Sequence, residues 1–242
     1  MDSERIVEEF RRYFSVVPAR TPDLRACAYR VRYAVYAEEL GWEDRSRFAD
    51  GQERDEYDDN ALICLLQHRE SGVFAGCVRV VLGEPDPARA FPFETALRHA
   101  GLSLAGLPVE PAWRATAGEI SRVAVISRFR RRQHEQGRPD TTLEDSPPAA
   151  PERRVFPHIA MGLYLGAAAM GLSHGLERVF AIMEPRLARR LRTYGIAFEA
   201  VGEPIEHHGL RVPYCLARKG FETALSPPIR ALLARIRTDL AG

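Results

Sequence analysis

The segment Glu119-Ile120-Ser121-Arg122-Val123-Ala124-Val125-Ile126 constrains the architecture of the whole chain. It is rich in β-branched residues and free of Gly and Pro, so it reads as a strand. Strand alternation sets Glu119 and Ser121 on one face and Ile120 and Arg122 on the other. A glutamate and a serine on a central strand cost free energy unless a partner or a site uses them. Two readings stand for Glu119: a functional carboxylate, or the ion-pair partner of an arginine such as Arg32 or Arg79.

Upstream, Ala61 to Gln67 and Phe74 to Leu82 are apolar runs either side of the Ser71-Gly72 turn, a hairpin of two further central strands. Phe14 to Val17 is a short strand behind a helix over residues 3–12. Thr21-Pro22 opens the next helix as N-cap and first-turn proline. Leu24, Ala28, Val31 and Val35 then recur at helical spacing up to Gly41, which ends it. Pro92 to Ala100 is a short helix. Downstream, Pro157 to about Ser173 is a Gly- and Ala-rich helix able to pack closely on a sheet. Val179 to Met183 is a strand, and Pro185 begins an amphipathic helix capped by Gly195. Phe198 to Ile205 and Val212 to Ala217 are strand candidates, and a last helix covers 228–239. Hairpins and crossovers together predict one α+β or α/β domain over 1–242 with a mixed sheet. Residues 133–153 are polar, Pro-rich and without apolar period, and read as a mobile surface insertion.

A net charge of +1 excludes a strongly basic nucleic-acid binder. No apolar run reaches the roughly 20 residues of a membrane span. None of the four cysteines has CxxC spacing, and the chain opens without a signal-peptide core, so a reduced cytoplasmic protein is expected. His207-His208 has no carboxylate or cysteine at ligand spacing, and no metal site is expected.

Near-neutrality hides segregation. Between Glu43 and Asp59 there are eight acidic and three basic residues. Arginines cluster at Arg128 and Arg130 to Arg132, and again at Arg186, Arg189, Arg190 and Arg192. In the acidic run, Glu53 and Asp55 share a face of an extended chain, and Asp58 joins them only if the chain bends. Such carboxylates suit a cation, a protonated amine above all. The D-x-D-x-D-G pattern of a calcium loop is missing.

YRVRYAVYAEELGW (29–42), ERDEYD (53–58), GCVRVV (76–81) and GEISRVAV (118–125), in that order, resemble the first half of acyl-homoserine-lactone synthases. In the second half, FRRR from Phe129, FPHIAMGLYLGAA from Phe156, AIMEPRLARRL from Ala181 and HGLRVP from His208 resemble the PEP-CTERM/exosortase system-associated acyltransferases. That group is similar to long-chain N-acyl amino acid synthases as well. The resemblance implies a GNAT-like acyl-CoA N-acyltransferase fold, an α+β (α/β/α) sandwich with a mixed, splayed central sheet. It implies catalytic roles for Glu119 and Ser121. It implies acceptor-site roles for Arg32, Tyr36, Trp42, Asp55, Asp58, Arg79 and Arg122. The pattern usually carries phenylalanine where this chain has Tyr36.

The reaction so implied is attack of an amine on an acyl thioester, with Glu119 as general base. No tightly bound cofactor is implied; the donor is acyl-ACP or acyl-CoA. The glycine-rich pyrophosphate loop of acetyl-CoA users is absent, which favours an acidic acyl carrier protein as partner. Arg130, Arg131, Arg132, Arg186, Arg189 and Arg190 are its expected docking residues. The acceptor is a small amine such as an amino acid. The alternatives are a lactone-forming synthase using S-adenosylmethionine and a non-catalytic acyl-carrier-binding protein.

Overall fold

The computed structural model describes residues 3–86, 88–102, 114–130 and 156–241. The expected insertion at 133–153 lies outside the described residues, as do Arg131 and Arg132.

The elements follow in order: α1 (Ser3–Tyr13), β1 (Phe14–Pro18), α2 (Pro22–Arg32), β2 (Ala61–His68), β3 (Phe74–Leu82), α3 (Pro92–His99), β4 (Ala117–Val125) and α4 (Ser127–Arg130). Then come α5 (Phe156–Ser173), β5 (Arg178–Met183), α6 (Pro185–Arg192), β6 (Glu199–Ala200), β7 (Ile205–Glu206), β8 (Leu210–Ala217), α7 (Phe221–Ala224) and α8 (Pro227–Ala241). The sheet runs β1-β2-β3-β4-β5-β8-β6, with β7 also on β8. Among the described residues, only β4 and β5 pair in parallel; the other pairs are antiparallel.

Alternation builds the sandwich. Val78 and Val80 of β3 face the layer of α1, α5 and α8, while Cys77 and Val81 face α2 and α3. The small residues of α5 do what their sequence promised. A Cβ on Gly166 would stand 2.8 Å from the Cys64 sulfur, and one on Gly162 would stand 2.6 Å from the Phe10 ring. The helix therefore lies against β2 at a distance that larger side chains forbid.

The helix expected from Leu24 to Leu40 is α-helical only to Arg32. Tyr33–Glu39 widens into a π-helix, with the Leu40 N–H donating to the Val35 carbonyl at 3.0 Å. Gly41 ends it at φ 64°. The strand expected at Phe198–Ile205 is two short strands, interrupted at Gly202-Glu203-Pro204.

Two irregularities shape the centre. The β4–β5 pairing is Ala117 with Arg178, Gly118 with Val179 and Glu119 with Phe180, and it stops there. Beyond Glu119 the two strands splay apart. In β4 the register to β3 shifts between Cys77 and Arg79, so an extra residue is accommodated, and Arg122 sits at φ 51°. This is a β-bulge, and it resets which side chains face which layer.

Candidate functional site

The splay opens a cavity of about 380 Å³ through the sheet. On the α2 and α3 side it is lined by Tyr36, Trp42, Asp55, Arg79, Glu119, Ser121 and Arg122. On the α5 and α6 side it meets Ile120, Tyr164, Leu187, Leu191 and Phe198. A smaller apolar cavity of about 50 Å³ shares Ile120, Tyr164, Leu191 and Phe198 with it and continues to Leu172, Leu176 and Phe221. The site is thus polar at one end and greasy at the other.

Alternation alone sent Arg122 to the apolar layer. The bulge returns it to the polar face, where its Nη2 lies 3.1 Å from Glu43, 3.2 Å from Glu53 and 3.3 Å from Asp55. A non-glycine residue at positive φ costs roughly 1–2 kcal/mol, so this orientation is held against a local cost. Burial lowers the Arg122 pKa; the Glu53 and Asp55 carboxylates outweigh it and raise the pKa.

The acidic segment does bend. Asp55 caps a short 3-10 helix, Glu56–Asn60, and its carboxylate accepts from the Tyr57 N–H at 3.0 Å. Asp58 reaches back to the Asp55 N–H at 2.9 Å, closing a reciprocal cap. Asp58 thereby joins Glu53 and Asp55, and the carboxylates meet arginines of the chain itself. Arg32, fully buried, donates to Glu53 and, at 2.6 Å, to Asp58. Arg79, 1% exposed, donates to Asp55 at 2.5 Å, to Asp58 at 3.1 Å and to the Ser121 hydroxyl at 3.1 Å. Burial pushes the Asp58 pKa up, but Arg32 and Arg79 outweigh it and hold it below the usual value. Arg32 and Asp58 form a buried ion pair and are not among the residues that line the cavity. Glu43 and Glu53 complete the network and were missed as site residues, although both sit in the acidic run.

Glu119 follows neither of its proposed ion pairs, because Arg32 and Arg79 are engaged by the acidic segment. It is 3% exposed and forms no ion pair among the described residues. Its Oε2 accepts from the Phe93 N–H at 2.8 Å, in the first turn of α3. Burial pushes its pKa up to about 8, the Phe93 hydrogen bond and the Arg79 charge pulling the other way. Such a carboxyl holds its proton at neutral pH and becomes a base as the pH rises toward 8. Glu94 and Arg114 anchor that first turn. Arg114 donates to both Glu94 oxygens, at 2.8 and 3.0 Å, and Glu94 accepts from the Phe91 N–H at 2.6 Å.

Tyr36 explains its departure from phenylalanine. Its hydroxyl donates to the Val123 carbonyl at 2.9 Å, just past the bulge, and burial raises its pKa, so it stays a neutral donor. Trp42 stacks on Tyr36 with centroids 5.9 Å apart.

On α6, Arg186 and Arg189 are exposed while Leu187 and Leu191 face the cavity. Arg190, expected on the solvent face, is half-buried with its guanidinium 5.6 Å from the Tyr194 ring centre. Arg130 ends α4, but its side chain, with Arg131 and Arg132, lies outside the described residues. Among the described residues there is no cluster able to hold a metal ion and no helix long and apolar enough to cross a membrane.

The sandwich, the single parallel pair splayed beyond Glu119 and the bulge in β4 define a GNAT-like α+β fold with an open, mixed eight-stranded sheet. Residues 31–137 match the family described as Acetyltransferase (GNAT) domain. The structure is similar to TofI, solved in a ternary complex with an inhibitor and MTA (TM-score 0.57, 21% identity, 89% of this chain and 99% of that one). It is similar to BjaI, a CoA-dependent acyl-homoserine lactone synthase solved with SAM and isopentyl-CoA (0.57, 19%, 93% and 99%). It is also similar to FeeM, an N-acyl amino acid synthase from uncultured soil microbes (0.51, 14%, 88% and 94%). At these identities the likeness is one of fold. No curated protein matches the chain in sequence.

Proposed function

We propose that the chain is an N-acyltransferase that moves a long acyl group from a carrier-protein thioester to a small amine such as an amino acid. The observation that carries this reading is the through-sheet cavity, which sets a proton-accepting Glu119 at the junction of a polar chamber and an apolar one. The acyl chain would lie on the Tyr164, Leu187 and Leu191 side, continuing toward Leu172 and Phe221. The amine would enter from the Trp42 and Ser121 side.

Glu119 takes a proton from the acceptor ammonium. The freed amine nitrogen bonds to the thioester carbon, and the tetrahedral oxyanion forms beside β4. Past Glu119 the β5-facing edge of β4 pairs with no strand among the described residues, and its N–H groups would serve as oxyanion donors. Collapse breaks the C–S bond, the departing sulfur takes the second proton lost by the former amine nitrogen, and Glu119 returns its proton to solvent. Ser121, fixed by Arg79, orients the acceptor. No tightly bound cofactor takes part; the donor is acyl-ACP, or acyl-CoA in its stead.

The exposed arginines of α6 flank the apolar end and suit an acidic acyl carrier protein. Double charge reversal, Arg186→Glu with Arg189→Glu, is expected to weaken carrier-protein binding about tenfold or more at low salt, with a smaller loss at 0.5 M salt. Titration calorimetry checks it; equal affinity at low salt removes α6 from the docking surface.

FeeM's described activity supports the amino-acid acceptor, and the motifs of the second half support an association with PEP-CTERM/exosortase systems. BjaI, solved with SAM, supports the second reading, a lactone-forming synthase. Mass spectrometry of turnover mixtures separates them: an N-acyl amino acid without methylthioadenosine is expected, and stoichiometric methylthioadenosine reverses the choice.

A further inference from the structure

The turn His207-His208-Gly209 lies 166 positions beyond Trp42 in the chain, yet its second histidine lies flat on the indole. The His208 and Trp42 ring centres are 4.3 Å apart with planes at 8°. The turn links β7 to β8, and both histidines line the polar end of the cavity, as does Arg211.

This arrangement is held against its own backbone preference. His208 sits at φ 52°, a region that L-residues other than Gly adopt at a cost. Five contacts impose it. The Arg211 guanidinium donates to the His207 carbonyl at 3.3 Å, to the His208 carbonyl at 3.1 Å and to Glu184 Oε1 at 2.8 Å. The Gly209 N–H donates to Glu206 Oε1 at 2.8 Å, and the His207 N–H to the Gly209 carbonyl at 3.0 Å. Both histidines are exposed, and neither imidazole hydrogen-bonds to a described residue. The strain therefore does not serve the core. It delivers one flat ring to one indole face, at the end of the cavity where the amine enters.

We infer that this turn sets acceptor size: the His208 ring occupies the indole face on which a ring-bearing amine would stack, so the chamber takes small aliphatic amines and rejects aromatic or purine-bearing ones. The inference rests on the acceptor-side reading of the polar chamber given above. Arg211 acts through the turn and is a positioning residue.

The test is binding without turnover, so it stands apart from the acyl-transfer reading. Titration calorimetry measures alanine, tyrosine and S-adenosylmethionine against the wild type, His208→Gly and His208→Phe. Gly accepts the positive φ and uncovers Trp42; Phe keeps a flat ring there. The affinity ratio of ring-bearing to aliphatic amine is expected to rise about tenfold in His208→Gly, the scale of one aromatic stack, and to stay near the wild-type ratio in His208→Phe. The same ratio in all three proteins overturns the inference, as does binding of none of the amines to any of them. If the ratio shifts as expected while no amide forms with any donor, the gate stands and the acyltransferase reading falls.

Discussion

Glu119→Gln is expected to lower acyl transfer by about 10²–10⁴-fold, the usual contribution of a positioned base, and at the same time to make the protein more stable at pH 8. Both follow from one burial. The Glu119 carboxyl is nine-tenths or more out of water, and its pKa rises from the ordinary 4.5 to about 8. In the unfolded chain it ionises near 4.5; in the folded chain it holds its proton up to about 8. Between those values the folded state binds more protons than the unfolded state, so stability falls as pH rises through that window. The loss is complete above the folded pKa. Gln accepts the Phe93 N–H as the carboxylate does and carries no charge to desolvate. Relative to wild type, Glu119→Gln is therefore level below about pH 4.5 and gains up to roughly 3 kcal/mol by pH 7. Thermal unfolding at pH 4.5, 6 and 8 checks it; a variant less stable than wild type at pH 8 contradicts the assignment of burial as the cause. A residue whose removal stabilises the fold is one retained for chemistry.

Arg32→Met has the opposite sign. Arg32 is the fully buried centre of the network, donating to both Glu53 and Asp58. Met fills most of its volume but takes one guanidinium from a dry network, leaving Glu53 with Arg122 alone and Asp58 with Arg79 alone. Breaking a buried pair from one side costs about 3–5 kcal/mol. At this chain length that corresponds to a fall of about 10 °C or more in melting temperature. The triple variant Arg32→Met, Glu53→Gln, Asp58→Asn removes the two under-compensated charges and is expected to recover at least half of the loss. A melting temperature within 2 °C of wild type for Arg32→Met contradicts the network; so does a triple variant worse than the single one. Activity is expected to fall too, because Arg79 and Asp55 share the network and hold Ser121.

Much of the architecture was legible because it is periodic. The hairpin of β2 and β3, the strand at 117–125 and the Gly-rich helix α5 carry their period or their small residues openly in the sequence. The interrupted strand at 199–206 was marked too, by Gly202 and Pro204, which break a ladder. So was the bend that recruits Asp58: an acidic N-cap at Asp55 with an acceptor three residues on is a capping box. Other features had no local mark. The π-helix at Tyr33–Glu39 uses residues equally at home in an α-helix. The bulge that turns Arg122 to the polar face depends on the register with β3, which is a property of two strands and not of one. The choice of Arg32 and Arg79 between Glu119 and the acidic segment was settled by proximity in three dimensions. The His208–Trp42 stack joins segments too distant for any spacing rule to connect. Residue types at the site could be read from the chain, while their pairing could not.

The central claim is that Glu119 delivers a free amine to a thioester at the splay of β4 and β5. The most direct measurement is the pH dependence of kcat/KM for amide formation, with released thiol counted against amide. Purified wild type and Glu119→Gln are each given a long-chain acyl carrier thioester and an amino acid. The account predicts one thiol per amide, a rate rising with pH to an inflection near 8 in wild type, and no such inflection at a greatly lowered rate in Glu119→Gln. Thiol released without amide, or a Glu119→Gln profile that overlays the wild type, would contradict it.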